Sequence, residues 1–435
     1  MGGYAVVLAV AVLVTFGLTP LVRRLAVRIG AVVPPSPRGV HTVPMPNIGG
    51  AAMFVGFLAA MAVASQIPQF SEMFNGSSEP AGLMLGAGVM FAVGALDDLR
   101  DVSPPAKLAG MVLAASLLSL FGVSMLFFRV PFIGWETVVL SPDLAPLATV
   151  ILVIVFANAI NLIDGLDGLA AGTVIIAGTA LFLYADRLFK NGFLEGSNIA
   201  PLVAIIAVGI CVGFLPFNFT GRIMMGDEGA LFLGLLLAVT TITIGGRADY
   251  QYTGTTYFFF APLFIPIVIL GVPIIDTAFS FFRRVARRRS FAVADKDHLH
   301  HRLMRLGHGP RRTVVILWLW TALLSGLALL PAYTNEGNAL VPLGIMALAL
   351  LLYAFFFPGK REAQAIVAEE ERELEEAQAR RSGPSGEEAQ ARRSGPSGEE
   401  AQARRSGPSG EEAQAVPAAG AGVVEMRSRR RGTGS

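Results

Sequence analysis

Apolar windows close to 20 residues long recur along this chain at 4–20, 48–68, 81–96, 106–126, 144–160, 169–185, 199–216, 229–245, 257–281, 314–331 and 339–357. Each is about the length a helix needs to cross the hydrocarbon core of a bilayer. Lipid offers no hydrogen bonds, so a spanning segment must satisfy its own backbone, and runs of this length do so as helices. The expected fold is therefore an all-α polytopic membrane protein with about eleven transmembrane helices. Composition agrees: 53% of residues are hydrophobic and 15% charged, against roughly 45–50% and 25% in soluble domains. Residues 4–20 lack the basic start and small-residue cleavage site of a secretory signal, so they read as a retained first span. The single cysteine, Cys211, excludes an intrachain disulfide and a cysteine-based metal site.

Charge sets the topology. With the N-terminus outside, the inner connections are 21–47, 97–105, 161–168, 217–228 and 282–313, and the C-terminal tail is cytoplasmic. Together with Lys107 these connections hold 17 Lys and Arg, whereas the outer ones hold four, Arg129, Arg187, Lys190 and Arg247. An excess of that size fixes the orientation by the positive-inside rule. A membrane domain would then occupy residues 1–358. Residues 359–435 form a tail that repeats EEAQARRSGPSG three times; it has no apolar face to bury and is expected to be a solvated linker. The net charge of +2 gives no reason to expect a nucleic-acid partner.

Ionisable residues are costly inside lipid, so those at the span ends need a reason to be there. Asp97 and Asp98 close the third span in GALDDLRD. Adjacent carboxylates repel unless a cation joins them, and magnesium favours one or two carboxylates alongside phosphate oxygens. NAINLIDGLDGLAAG then places Asn158, Asn161, Asp164 and Asp167 at the inner end of the fifth span. Asn161, Asp164 and Asp167 recur every three residues, so on a continuous helix they would share one face. The spacing lacks the alternating ligands of an EF-hand. It also lacks the Ala-Arg expected after Asp-Gly in a CDP-alcohol transferase. Asp227 and Glu228 precede the eighth span in GRIMMGDEGALFLG, where helix-start amides would suit an anion. The longest inner loop carries an arginine cluster and DKDHLHHRLMRLGHG with His298, His300, His301 and His308. His41 lies in the first inner loop, so every histidine is expected on the cytoplasmic side. Imidazoles and guanidinium groups without cysteine suit phosphate better than zinc.

Carboxylates for a hard metal, amides and basic groups on one membrane face are what phosphoryl transfer requires. A site there meets soluble nucleotides and phosphorylated lipids alike. LDDLRD, NAINLIDGLDGLA, GDEGALFLG, PIIDT with its RR, and DKDHLHHRL resemble, in order, the motifs of the polyprenyl-phosphate N-acetylhexosamine-1-phosphate transferases, glycosyltransferase family 4. HLHHRL resembles the WecA/TagO branch, which uses undecaprenyl phosphate and N-acetylglucosamine, more than the peptidoglycan translocase branch. The resemblance runs from about residue 15 to residue 310.

It implies attack by a polyprenyl phosphate on the β-phosphorus of a UDP-N-acetylhexosamine, releasing UMP at the inner face of the cell membrane. It implies magnesium as cofactor, with manganese able to substitute. It assigns Asp227 as a metal ligand with Asp97, Asp98 and Asp164 close by, and Asp98 as the base for the lipid phosphate. Asp164 and Asp167 join the catalytic set with His300 and His301; Asn161, Lys107, His298, Arg302, Arg38 and His41 bind substrate. Some positions depart from the family pattern: Gly39 replaces a lysine, Met111 a glutamine, and Glu228 and Ala230 fill variable or serine positions. A homodimer is left open. The rival reading, a secondary transporter, would place its charges near the membrane midplane, and a scaffold would leave five polar motifs without a purpose.

Overall fold

The computed structural model describes residues 2–34, 43–100, 102–129, 137–245, 271, 303–304, 308–334 and 340–356. By contacts the chain divides into two units, Met1–Ala368 and Glu369–Ser435, and all described residues belong to the first.

The described helices are α1 (Gly2–Ile29), α2 (Gly50–Ala64), the short α3 (Ser71–Gly76), α4 (Glu79–Arg100), α5 (Pro104–Leu120), α6 (Leu144–Ile163), α7 (Leu169–Lys190), α8 (Ala200–Asn218), α9 (Gly226–Gly245), α10 (Pro310–Thr334) and α11 (Leu340–Phe356). Among the described residues seven are long and apolar enough to cross a membrane, or eight if α2 and the bent segment after it form one span. α5 and the apolar part of α11 are shorter, and the expected span 257–281 lies, apart from Gly271, outside the described residues.

Two details differ from the sequence expectation. The second span was expected to run to residue 68, but α2 ends at Ala64 and the chain turns by 91° into Pro68–Gly76. Pro68 is the cause: Ile67 before it is held extended at φ −87° and ψ 123°, as the pyrrolidine ring demands of a preceding residue. The fold is also not purely helical. Val32–Val33 (β1) pairs antiparallel with Met45–Pro46 (β2), and Phe127–Arg129 (β3) with Thr137–Val139 (β4). These ladders satisfy backbone groups in loops that leave the helices.

α9 is the hub of the bundle. It packs against α2, α4, α6, α7 and α8, and it is buried along almost its whole length. In a membrane the hydrophobic effect does not drive helices together, so close approach and dispersion must do it, and small residues permit that. Gly234 of α9 lies against the backbone of Phe156 and Ala157 of α6, Gly50 of α2 against the backbone of Gly229, and Gly94 of α4 against the backbone of Asp227 and Glu228; a Cβ at any of the three would overlap main-chain atoms. Gly94→Val is therefore expected to separate α4 from α9 at the cost of an overpacked contact, about 1–3 kcal/mol. Thermal unfolding of the purified chain should show a lowered midpoint. Gly88→Ala on the same helix is the control, because its Cβ would meet only the Phe54 ring at 4.0 Å and should leave the midpoint unchanged.

Hydrogen bonds gather alternate helix ends at one end of the bundle. Arg23 near the end of α1 donates through Nε to the Arg222 carbonyl just ahead of α9 (2.9 Å), and the Gly168 amide before α7 donates to Asn218 Oδ1 at the end of α8 (2.8 Å). The polar motifs of α4, α5, α6 and α9 meet at this same end.

Candidate active site

Successive residues of a helix point about 100° apart, and this separates the Asp97–Asp98 pair. Asp97 faces α5, where Oδ1 accepts from the Val102 amide (2.8 Å) and Oδ2 from Lys107 Nζ (2.7 Å). Asp98 faces α9. Its Oδ1 accepts from Asn47 Nδ2 (2.7 Å) and the Asp227 amide (3.1 Å), and its Oδ2 from the Glu228 amide (3.0 Å). The two carboxylates thus do not converge on one ion. Asp98 caps the N-terminus of α9 and occupies the helix-start amides expected to hold a substrate anion. A carboxylate there satisfies donors that no helical carbonyl reaches, and it opposes the positive end of the helix dipole.

The geometry requires Gly226. Its φ is +74°, and a Cβ would run into the Asn47 carbonyl and the Asp98 carboxylate. Only glycine combines that backbone conformation with such an approach.

With Asp98 committed to α9, the carboxylate facing Asp97 across the site is Asp227. Lys107 Nζ lies between them and donates to both. Asn161 of α6 completes the group: with its amide nitrogen turned toward Asp227 it donates to Oδ1 (3.2 Å), and its oxygen accepts from Lys107 Nζ (3.2 Å). That orientation satisfies both ends of the amide. Four helices therefore each contribute one polar group, on side chains that stay partly exposed: 18% for Asp97, 17% for Lys107 and 29% for Asp227. Asn158, one turn deeper, donates to the Ile154 carbonyl (2.8 Å) and to Met111 Sδ (3.5 Å) and makes no hydrogen bond to this group.

Asp164 and Asp167 do not share a helical face with Asn161. α6 stops at Ile163, Asp164 leaves the helical region at ψ 38°, and Gly168 turns the chain at φ +84° into α7. The Asp-Gly-Leu-Asp-Gly sequence makes turns, as short polar residues and glycines do. Asp164 is half-buried, and its pKa is held well above the usual carboxylate range, by burial first and then by the negative charges of Asp227, Asp167 and Asp98. Asp167 lies against the Gly221 backbone in the α8–α9 link.

Two residues that the sequence did not single out for the site prove central to its construction. Asn47 orients Asp98. Glu228, buried where α2, α4 and α9 meet, accepts the Ala51 amide at Oε1 (2.7 Å) and so caps α2. Because the Gly49 and Gly50 amides also donate to the Met224 and Met225 carbonyls (3.1 and 2.9 Å), the start of α2 is fastened to the start of α9. A charge two residues into a long apolar helix was the available signal, since it must find donors or destabilise the fold. Arg38, His41, His298, His300, His301 and Arg302 lie outside the described residues.

Among the described residues no three His, Cys, Asp or Glu side chains converge as an all-protein cage. Magnesium does not need one, since it takes one or two carboxylates and completes its shell with water and substrate phosphates. Asp97 and Asp227, already facing one cation in Lys107, fit that description.

The model of glycosyl transferase family 4 matches residues 80–245, which include Asp97, Asp98, Lys107, Asn161, Asp164, Asp167 and Asp227. Decaprenyl-phosphate N-acetylglucosaminephosphotransferase of Mycobacterium tuberculosis H37Rv is 35% identical over 344 residues, 78% of this chain and 85% of that protein. The chain belongs to glycosyl transferase family 4. The protein of the same name from Mycolicibacterium smegmatis is 33% identical over 342 residues, covering 77% and 84% of the two chains. The undecaprenyl-phosphate alpha-N-acetylglucosaminyl 1-phosphate transferase of Yersinia pestis is 27% identical over 339 residues, covering 77% and 86%. Membership of the family leaves a transporter without support, and the described spans agree, since their ionisable groups collect at helix ends.

Proposed function

We propose that this family 4 transferase moves N-acetylglucosamine-1-phosphate from UDP-N-acetylglucosamine to a polyprenyl phosphate at the cytoplasmic face of the cell membrane. The observation that carries the proposal is the convergence of Asp97, Lys107, Asn161 and Asp227 from four helices at one end of an apolar bundle. An oxygen of the lipid phosphate attacks the β-phosphorus of the nucleotide sugar. The bond to the bridging oxygen breaks, UMP leaves with that electron pair, and the lipid carries a pyrophosphate-linked sugar. The names of the relatives support the sugar and the acceptor class, and the Lys and Arg asymmetry supports the cytoplasmic face.

Phosphoryl transfer asks a protein mainly for positioning and for neutralisation of charge. Asp227 and Asp97 would hold the magnesium ion, with Asp164 behind them. When bound, the ion offsets charge on the donor pyrophosphate. Lys107 bridges the two carboxylates, keeps them from repelling one another, and has the reach to turn its ammonium to a phosphate oxygen. Asn161 fixes the rotamers of Lys107 and Asp227.

The purified full chain in detergent, given UDP-N-acetylglucosamine, polyprenyl phosphate and magnesium, is expected to release UMP in step with formation of the lipid pyrophosphate. Absence of UMP with every UDP-sugar tried would overturn the proposal. A preference for a different sugar would correct the donor alone.

A further inference from the structure

The last two described helices enclose a groove that the reaction above does not use. α10 and α11 pack side by side, and between them lies a cleft of about 650 Å³. Val315, Leu319 and Leu323 line it at four-residue intervals along α10, facing Met346, Leu350 and Tyr353 of α11. Spacings of three and four place each set on one stripe of its helix.

One end is of opposite character. Arg311 and Arg312 stand in the first turn of α10, are exposed, and line the same cleft. The helices are antiparallel there, because His308 just ahead of α10 lies with its ring 6.0 Å from that of Tyr353 near the end of α11. Tyr353 therefore belongs to the arginine end, where its polar tip suits a membrane interface. Apart from Arg311 and Arg312, neither α10 nor α11 contains a charged residue. Neither arginine forms a salt bridge among the described residues.

We propose that the groove binds an anionic phospholipid of the surrounding bilayer, with its phosphate on Arg311 and Arg312 and an acyl chain along the apolar stripe. The lengths agree. From Arg312 to Leu323 is eleven residues, about 16 Å of helix at 1.5 Å per residue. That is close to half of a hydrocarbon core of about 30 Å, the depth of one leaflet. The charges agree as well, since guanidinium groups take phosphate through paired donors, and the first-turn amides of α10 add positive potential at the same end. Orientation by the positive-inside rule needs the two charges but no cleft beneath them. A second copy of the chain is the competing occupant. Pairing two such faces about a twofold axis would bring four guanidinium groups together with no carboxylate from either helix to offset them. The proposal does not depend on the reaction assigned to the family 4 site.

The test uses the full chain purified in neutral detergent, with phosphatidylglycerol or phosphatidylcholine added in mixed micelles. Bound lipid is counted by native mass spectrometry and the thermal midpoint is recorded. Phosphatidylglycerol is expected to be retained and to raise the midpoint by several degrees, and phosphatidylcholine to do neither. R311Q/R312Q should cut retained phosphatidylglycerol at least tenfold while keeping the midpoint seen without added lipid. L319W, which fills the groove and leaves both arginines in place, should do the same. Equal retention of the two lipids would overturn the proposal, as would phosphatidylglycerol retention unaffected by either variant. So would a midpoint rise reproduced by inorganic phosphate, or a dimer mass that L319W abolishes without changing lipid retention.

Discussion

Replacing Asp227 with asparagine is expected to lower UMP release by at least about 10²- to 10³-fold, the usual loss when one preorganised electrostatic group is removed from an active site. Its carboxylate faces Asp97 across Lys107 and is the acceptor of the Asn161 amide in the orientation that satisfies both. Asparagine keeps the shape and an oxygen for Lys107 but withdraws the charge that a divalent ion and the donor pyrophosphate would share. Lys107 still has Asp97, and the Asp227 amide, which belongs to the cap on Asp98, is untouched. The fold should therefore persist, with the thermal midpoint within a few degrees of the parent chain. Magnesium titrations should show that higher concentrations are needed for whatever turnover remains. Initial rates measured with unfolding curves on the same preparations decide the matter. Turnover within tenfold of the parent, from a folded variant, would remove Asp227 from the proposed metal site.

Much of this site could be read from sequence because lipid makes polar residues conspicuous. Asp97, Lys107, Asn161 and Asp227 border long apolar runs, and a charge in that position requires a partner. Their gathering at one end of the bundle follows from the alternation of span directions. What sequence could not supply was direction. Asp97 and Asp98 are chemically identical neighbours, and only the packing of α4 between α5 and α9 decides that one meets Lys107 and the other caps a helix. The regular spacing of Asn161, Asp164 and Asp167 suggested a helical face. The glycines interleaved with the aspartates outweighed it, because a turn closing on Gly168 at positive φ ends α6 before the second aspartate. Glu228 illustrates the opposite difficulty. Beside Asp227 it read only as a variable position of the motif, whereas its side chain holds the amide that starts α2. Pro68 did announce the bend after α2, but an apolar window average passes over a single proline.

The position of Asp98 yields the sharpest contrast between two roles for one carboxylate. As a general base it would take a proton from the lipid phosphate, and removing it would lower turnover about 10²- to 10⁴-fold with stability unchanged. A phosphate monoester has a second pKa near 6 and is mostly ionised at neutral pH, so there is little proton left to take. As a cap, Asp98 satisfies three donors at once: the Asn47 side chain and the Asp227 and Glu228 amides. Asp98→Ala leaves all three without their acceptor at a partly buried position, and each such group costs up to about 1–3 kcal/mol. Its expected result is a clear fall in the thermal midpoint, with activity lost because the amide and side chain of Asp227 no longer hold their position. Asp98→Asn keeps one oxygen for one donor and turns an NH₂ toward another, so its midpoint should fall between those of Asp98→Ala and the parent. Assayed well below that midpoint and at saturating substrate, it should keep turnover within about tenfold, since no base of the kind that contributes 10²-fold or more has been removed. A loss beyond a hundredfold in Asp98→Asn with an unaltered midpoint would refute the capping role and restore Asp98 as the base.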